Sequence, residues 1–197
     1  MNPYLSFSIA MCAVVIIALA GTAYLAAYFN RRSKNDMELA LKPLAEVIDG
    51  ELDVEDGHIS GRYQGQLAEG KVATMPGGMS RIFLTSIVEG AGGQSWEWTL
   101  TRSKEPGGPD ESRFQEEIPD ITDRIEPILL PLKDDPDLAG IWFRVDYDPA
   151  SGILKLTRPM RVRRDIPGAA AYQRFLDVLI AAAAENRATQ GPAAALA

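Results

Sequence analysis

The chain has 197 residues, a formal net charge of -7 at pH 7 and a hydrophobic fraction of 46%, which suits one soluble domain of ordinary size with a single core. The acidic balance argues against nucleic acid as a partner, because phosphate contacts require a basic face. One cysteine and one histidine exclude an intrachain disulfide, a Cys/His zinc site and a two-histidine metal site, and we expect no metal and no cofactor.

An uncharged apolar segment opens the chain. None of the first 30 residues is Asp, Glu, Lys, Arg or His, and Leu5–Phe29 is a run of 25 mostly apolar residues. As a helix this run would be about 37 Å long, which exceeds the roughly 30 Å hydrocarbon core of a bilayer. Asn2 and Pro3 suit an N-cap and a first helical position. We therefore predict a transmembrane helix.

A cleaved signal peptide is the alternative for this segment, since Ala18-Leu19-Ala20 resembles a small-x-small cleavage site. A signal peptide usually places positive charge before a shorter apolar core of about 7–15 residues. Here the basic residues follow the apolar run. The sequence therefore favours a retained, single-pass anchor.

Three basic residues, Arg31, Arg32 and Lys34, follow the apolar run. Lys and Arg beside a span favour the cytoplasmic side of a membrane. We predict an anchor with its basic flank over 1–34, located in the plasma (inner) membrane, and a C-terminal domain in the cytoplasm. Membrane lipid is then the first predicted partner. The preference for Arg over Lys and the Ala-rich tail indicate a bacterial source.

An amphipathic linker helix is predicted over 35–50. Apolar residues within Asp36–Asp49 recur at helical spacing, and Gly50 is a suitable stop. Pro43 lacks the N–H group that a helix interior requires. We therefore expect two short helical pieces or a kinked helix, with the apolar face on the domain.

Strand signals follow the linker. Glu51–Glu55 and His58–Tyr63 flank Asp56-Gly57, a strong turn dipeptide, and predict a hairpin with its histidine on an exposed flank. Lys71–Met75 and Ser80–Glu89 are further strand candidates.

The next strand candidate, Gln94–Ser103, alternates apolar and polar residues, which puts Trp96 and Trp98 on one sheet face. Gly90-Ala91-Gly92-Gly93 precedes it. A phosphate cradle would need a helix N-terminus after the glycines. Because a strand follows, we interpret these glycines as a hairpin loop.

The second half of the domain begins with a Pro/Gly loop, Lys104–Pro109. The stretch Asp110–Asp137 contains ten acidic and three basic residues, so it carries the net charge of the whole chain. Ile121–Leu132 has one apolar stripe and predicts a helix, although Pro127 and Pro131 interrupt it.

A second hairpin and a last helix complete the domain. Ile141–Tyr147 and Ile153–Arg158 flank a turn-forming segment and give the clearest hairpin of the chain. Ala169–Asn186 has a helical apolar face. The tail 188–197 has little to bury and is predicted to be disordered.

These elements predict an α+β fold. An N-terminal transmembrane helix is followed by a mainly antiparallel β-meander domain, with two or three helices packed on one face. The soluble domain spans 51–187.

A basic cluster lies near the end of the second hairpin. It places four positive charges within seven residues. Facing a membrane, such a patch attracts anionic lipid by about 1 kcal/mol per residue. It could also pair with the acidic segment or be solvated. With the anchor flank, this cluster supplies the candidate membrane- or anion-binding residues Arg31, Arg32, Lys34, Arg158, Arg161, Arg163 and Arg164.

The functional prediction is a membrane-tethered, non-catalytic binding or scaffolding protein with an unidentified protein partner. No thiol, histidine pair or nucleotide motif indicates catalysis, and no catalytic, cofactor-binding or metal-ligating residue is assigned. Two alternatives stay open. One is a membrane-anchored enzyme acting on a lipid or envelope substrate through Asp, Glu, Ser or Arg. The other is an accessory subunit of a membrane complex.

Overall fold

A long N-terminal helix leads into an eight-stranded sheet in this computed structural model, which describes residues 3–75, 77–78, 80–103, 110–116 and 118–190. The predictions for Asn2, for Lys104–Pro109 and for residues 191–197 of the tail lie outside the described residues. The helices are α1 (Pro3–Val47), α2 (Pro119–Leu129) and α3 (Ala169–Gln190), with 3-10 turns at Leu130–Asp134 and Arg163–Asp165. The strands are β1 (Glu51–Asp53), β2 (His58–Tyr63), β3 (Gln66–Thr74), β4 (Arg81–Val88), β5 (Trp96–Thr101), β6 (Glu111–Phe114), β7 (Phe143–Asp148) and β8 (Ile153–Met160).

Within the described residues, the strands form one antiparallel sheet in the order β1-β2-β3-β4-β8-β7-β5-β6. This confirms an α+β fold with an antiparallel sheet and additional helices. The meander holds only for β1 to β4. The β7–β8 hairpin is inserted beside β4, and β5 and β6 lie beyond it.

The interpretation of Gly90–Gly93 as a hairpin loop is wrong. Val88, the last residue of β4, pairs with Ile153, and Arg81, the first, pairs with Met160. The remaining edge of β4 is therefore fully used by β8, and β5 pairs with β7 instead. The glycines connect two strands that are not neighbours.

The helix α1 runs without interruption through Pro43, so it is not divided into two short pieces. A proline inside a helix costs about 3 kcal/mol. Leu41, Leu44 and Ile48 are almost fully buried in the core, and each such burial contributes roughly 1.5–3 kcal/mol. Packing therefore outweighs the lost hydrogen bond, and the linker is continuous with the apolar helix.

Two strand segments differ from the sequence prediction. β3 begins at Gln66 rather than near Lys71, after a tight turn in which Gln64 and Gly65 both have positive φ. Gly70 occurs inside this strand because a Cβ there would lie 2.9 Å from the Ile59 side chain. β6 is short and polar apart from Phe114, so it has little signal of its own and forms by pairing with β5.

Alternating burial separates the two faces of the sheet. The tryptophans of β5 are both buried on one face, as predicted, and Trp98 packs against Phe143 with ring centroids 5.7 Å apart. The end of α1 lies on β2, α3 contacts β4 and β8, and α2 packs on α3. We call this side the helix-covered face. The opposite, open face carries half-buried and exposed residues such as Leu84, Arg144 and Lys155.

The remaining local predictions differ in detail. α2 includes Pro127 and ends at Leu129, where a 3-10 turn continues the chain. α3 extends to Gln190, so residues 188–190 of the predicted tail are helical. His58 lies in β2, half-buried, with its Nε2 atom 3.6 Å from Glu69 Oε2.

Candidate functional site

One edge of the sheet lies beside the point where α1 leaves the domain. Antiparallel pairing brings the end of β3 at Thr74, the start of β4 at Arg81 and the end of β8 at Met160 to the same edge. The end of β5 and the start of β7 join them, since Leu100 pairs with Phe143. We call this the anchor-side edge.

Polar contacts fix α1 at this edge. Lys34 Nζ lies 2.6 Å from Glu55 Oε1. Arg163 Nη1 donates to Asp36 Oδ2 at 2.9 Å, and its Nη2 donates to Ser33 Oγ. Surface ion pairs of this kind are individually weak, so the buried leucines nearby supply most of the attachment. The apolar part of the helix therefore departs from a defined place on the domain.

A cleft of about 1070 Å³ opens at the anchor-side edge. Among the described residues that line it are two half-buried side chains, Ile141 and Trp142. The charged lining residues are Arg81, Arg102, Arg158, Arg161, Asp137 and Asp165.

Arg158 is the most unusual residue of this cleft. It points to the helix-covered face because it follows Leu154 and Leu156 at two-residue spacing along β8, and it is only 6% exposed. Its Nε and Nη1 atoms are buried and have no hydrogen-bond partner among the described residues. A buried, unpaired guanidinium is costly, which makes this position a candidate for binding an anion.

The charges around Arg158 act on it only at longer range. Burial lowers the pKa of its guanidinium, and the carboxylates of Asp137, Asp165 and Asp135 oppose that shift. An arginine side chain stays protonated in proteins, so Arg158 keeps its positive charge. Its ion-pairing capacity is thus unused within the described part of the chain.

Two further arginines of the cleft also lack carboxylate partners. Arg81 and Arg161 are exposed, and neither forms an ion pair among the described residues. Arg102 differs, because it pairs with Asp110 and donates to the carbonyl oxygens of Ile141 and Leu138. It therefore holds the loop before β7 in place.

Both aspartates of the cleft have partners. Asp165 Oδ2 accepts hydrogen bonds from the backbone N–H groups of Arg161 and Val162 at 2.7 and 2.9 Å, and the bond from Val162 is the main cause of its lowered pKa. Asp137 Oδ2 accepts from Arg174 Nη2 at 2.7 Å. The cleft therefore keeps its positive charge available.

The predicted basic cluster is not one patch. Arg158 is buried, Arg163 is half-buried and bound to α1, and Arg161 and Arg164 are exposed. The predicted pairing with the acidic segment is limited to the long-range effect on Arg158. That segment instead pairs through Arg102 with Asp110 and through Arg174 with Asp135 and Asp137.

The basic flank of the anchor lies on the exposed surface of α1. Arg31 and Arg32 are exposed, and Lys34 is exposed and paired with Glu55.

Sequence reasoning missed Arg81 and Trp142 as residues that line the cleft. Arg81 begins β4 and Trp142 directly precedes β7, and no local spacing links either of them to Arg158.

A second polar cluster lies at the opposite edge of the sheet, which we call the far edge. Trp96 Nε1 donates to Asn186 Oδ1 at 3.0 Å, and Asn186 Nδ2 donates to Glu89 Oε1 at 3.1 Å. Desolvation raises the pKa of Glu89 to about 7, against the opposing effects of Asn186 and Arg187. Because Asn186 is fully buried between its two partners, this cluster is an internal network.

Metal ligation has no candidate among the described residues, because they contain no group of three or more His, Cys, Asp or Glu side chains that could hold an ion.

Among the described residues, one apolar helix segment has the length and composition of a membrane span. This segment lies in α1 within Met11–Val47, and its most apolar stretch is not buried by any other part of the described structure. Comparison of the chain with protein-family models, with curated proteins and with solved structures found no match.

Proposed function

We propose that this protein is a membrane-tethered, non-catalytic binding or scaffolding protein. The observation that carries the proposal is the continuity of α1, whose first part is apolar and unburied and whose last turns place Leu41, Leu44 and Ala45 in the domain core. An exposed apolar helix of this length is unfavourable in water and favourable in a bilayer. A rigid connection to the core would hold the domain at a fixed orientation to the lipid surface.

The cytoplasmic location of the domain is part of the same proposal. Arg31 and Arg32 are exposed on α1 directly after its apolar part, and such residues favour the cytoplasmic side of a bacterial plasma membrane. The anchor-side edge, with Arg81 and Arg161, would then face the anionic inner leaflet.

A protein partner would find a surface on the open face of the sheet. Leu67 and Val88 are 48% and 37% exposed on adjacent strands, and the half-buried residues Ile82 and Leu84 lie on the same face, towards the other end of β4. Uncovered apolar groups of this kind favour an accessory-subunit role over an enzyme. The open face and the anchor-side edge are separate, so lipid and protein contacts would not compete.

Alkaline extraction of membranes tests the tether. We expect the full chain to stay in the carbonate-washed membrane fraction and to be released only by detergent. Recovery in the soluble fraction, or a mature N-terminus beyond Ala20, would contradict it.

Cysteine labelling tests the orientation, and the single native thiol makes the design simple. Two variants are made in a Cys12→Ser background, Asn2→Cys at the N-terminus and Ala150→Cys in the exposed β7–β8 turn. In spheroplasts, a membrane-impermeant maleimide should label only the first variant, and after lysis it should label both. Labelling of Ala150→Cys in intact spheroplasts would place the domain outside.

A further inference from the structure

The cleft at the anchor-side edge combines a buried cationic wall with an exposed cationic rim. Arg158 supplies the wall, where two of its nitrogen atoms are buried and unpartnered among the described residues. Arg81 and Arg161 supply the rim, and the backbone of β4 holds Arg81 opposite Met160, next to Arg161. Three arginines thus line one cleft, and none of them forms an ion pair among the described residues, while Arg158 and Arg161 act on the carboxylate of Asp165 at longer range.

Guanidinium groups in this arrangement fit a phosphate best. Each offers several N–H donors in a planar fork, and a phosphate oxygen can accept from more than one fork. Asp137 and Asp165 also line the cleft, so a doubly charged phosphate monoester would meet repulsion there. A phosphodiester, which carries a single negative charge, fits this combination of arginine and aspartate side chains better.

The position of the cleft identifies the source of that phosphate. Arg81 lines both the cleft and a neighbouring groove of about 420 Å³ whose other wall contains Ser33 and Lys34 of α1. The anchor leaves the domain only a few residues away, at Asn30, which lines the same groove. Lipid headgroups would be the most concentrated phosphodiesters at this edge.

We propose that the cleft binds the phosphodiester of an anionic phospholipid headgroup, with Arg158 at its wall and Arg81 and Arg161 at its rim. The lipid source rests on the membrane tether proposed above, whereas the phosphate chemistry rests on the cleft alone. A bound headgroup would place a negative charge beside the Arg158 guanidinium and fix the height of the domain above the bilayer.

The test uses the full chain in neutral maltoside micelles. Trp142 lines the cleft and is half-buried, whereas Trp96 and Trp98 are buried, so Trp142 reports on occupancy through its fluorescence. Titration with short-chain phosphatidylglycerol should give a saturable change that phosphatidylcholine does not give. Native mass spectrometry of the same samples provides a second readout through lipid retained on the protein.

Matched variants separate the cleft from general charge attraction. Arg81→Gln with Arg161→Gln, and separately Arg158→Met, should each weaken phosphatidylglycerol binding by about tenfold or more, because each removes charge-assisted hydrogen bonds. Arg113→Gln removes one charge from the exposed surface of β6 and should change the affinity less than about twofold. Equal binding by the wild type and both cleft variants, in both readouts, would overturn the proposal.

Soluble ligands distinguish the two sources of phosphate. sn-Glycerol 3-phosphate and inorganic phosphate should compete only weakly with the lipid. If either binds as tightly as phosphatidylglycerol and depends on Arg158, the phosphate site is upheld and the lipid source is overturned. Since binding is measured in micelles, its outcome is independent of the fractionation test of the tether.

Discussion

The two edges of the sheet treat their buried polar groups in opposite ways. At the far edge, the amide of Asn186 is fully buried, accepts from the indole N–H of Trp96 and donates to Oε1 of Glu89, whose Oε2 atom has no partner among the described residues. At the anchor-side edge, Arg158 is nearly as buried, yet its Nε and Nη1 atoms have no partner among the described residues. One edge is closed by internal hydrogen bonds, and the other is open to a cleft.

This difference indicates where the protein is built for stability and where it is built for binding. Buried polar groups stabilise a fold through the hydrogen bonds they make with each other, and the far edge makes two such bonds through Asn186. A buried charge without a partner destabilises a fold and is retained when a ligand or partner satisfies it. The contrast predicts that mutations at the two edges will affect different measurements.

Breaking the hydrogen-bond network at the far edge should cause the largest loss in the free energy of unfolding. Asn186→Ala leaves the Trp96 indole N–H and the Glu89 carboxyl buried without a partner, and we expect a loss of about 2–4 kcal/mol in the free energy of unfolding. Urea denaturation of the full chain in micelles measures it. Gln173→Ala, at an exposed site on the same helix, should stay within about 0.5 kcal/mol of the wild type. A similar loss in both variants would show that helix propensity, not the network, is responsible.

The docking of α1 on the domain depends on close backbone contact between β2 and the residues that directly follow α1. A Cβ at Gly61 would collide with the carbonyl oxygen of Ile48 and with the backbone of Gly50. Gly61→Ala should therefore cost about 1–3 kcal/mol through overpacking. It should also speed amide exchange in the last turn of α1. Gly21→Ala, where a Cβ meets nothing within 4 Å, is the control and should change neither the stability nor the amide exchange. Unchanged amide exchange in Gly61→Ala would argue against close backbone contact at this position.

The pH dependence of stability sharpens the comparison further. The pKa of Glu89 is about 7 in the folded chain, above the ordinary glutamate value of 4.5 that applies to the unfolded chain, so the folded state binds more protons between these values. Its contribution to stability is therefore present below about pH 4.5 and is lost as pH rises to about 7. Glu89→Gln should raise the melting temperature at pH 8 and leave it nearly unchanged at pH 4.5. Glu111→Gln, at an exposed site, is the control, and an equal gain for Glu89→Gln at both pH values would refute the assignment.

The smallest effect on stability is expected at Arg158. Arg158→Met keeps the volume of the side chain and removes an unpartnered buried charge, so the free energy of unfolding should change by less than about 1 kcal/mol or rise. The same urea titration measures it beside Asn186→Ala. A loss as large as that of Asn186→Ala would mean that Arg158 is satisfied in the folded chain, and the contrast between the edges would fail.

Local sequence patterns were sufficient to predict several elements of the fold. The alternation that placed Trp96 and Trp98 on one face, the turn signals around Asp56-Gly57 and the β7–β8 hairpin are confirmed, because neighbouring residues along the chain determine them. Gln66–Gly70 and β6 lacked such a pattern. Their pairing depends on contacts with other strands. From the sequence alone, Gly70 suggests the end of a strand, whereas in the fold it lies inside β3 because the Ile59 side chain leaves no room for a Cβ.

The candidate site was only partly predictable. Arg158 and Arg161 stood out as members of a basic cluster, but their separation into a buried wall and an exposed rim arises because Arg158 lies inside β8 on the helix-covered face, whereas Arg161 follows the end of the strand. Arg81 and Trp142 carried no signal, since their proximity to Arg158 requires β8 to lie between β4 and β7.

The sequence by itself determined that a charge-free apolar helix precedes an α+β domain, because length, composition and periodicity are properties of contiguous residues. Tertiary structure decided which strands are neighbours, that α1 continues through Pro43, and that three arginines from two strand ends meet in one cleft. These features depend on burial and backbone pairing between residues far apart in the chain, whose energies no local window contains.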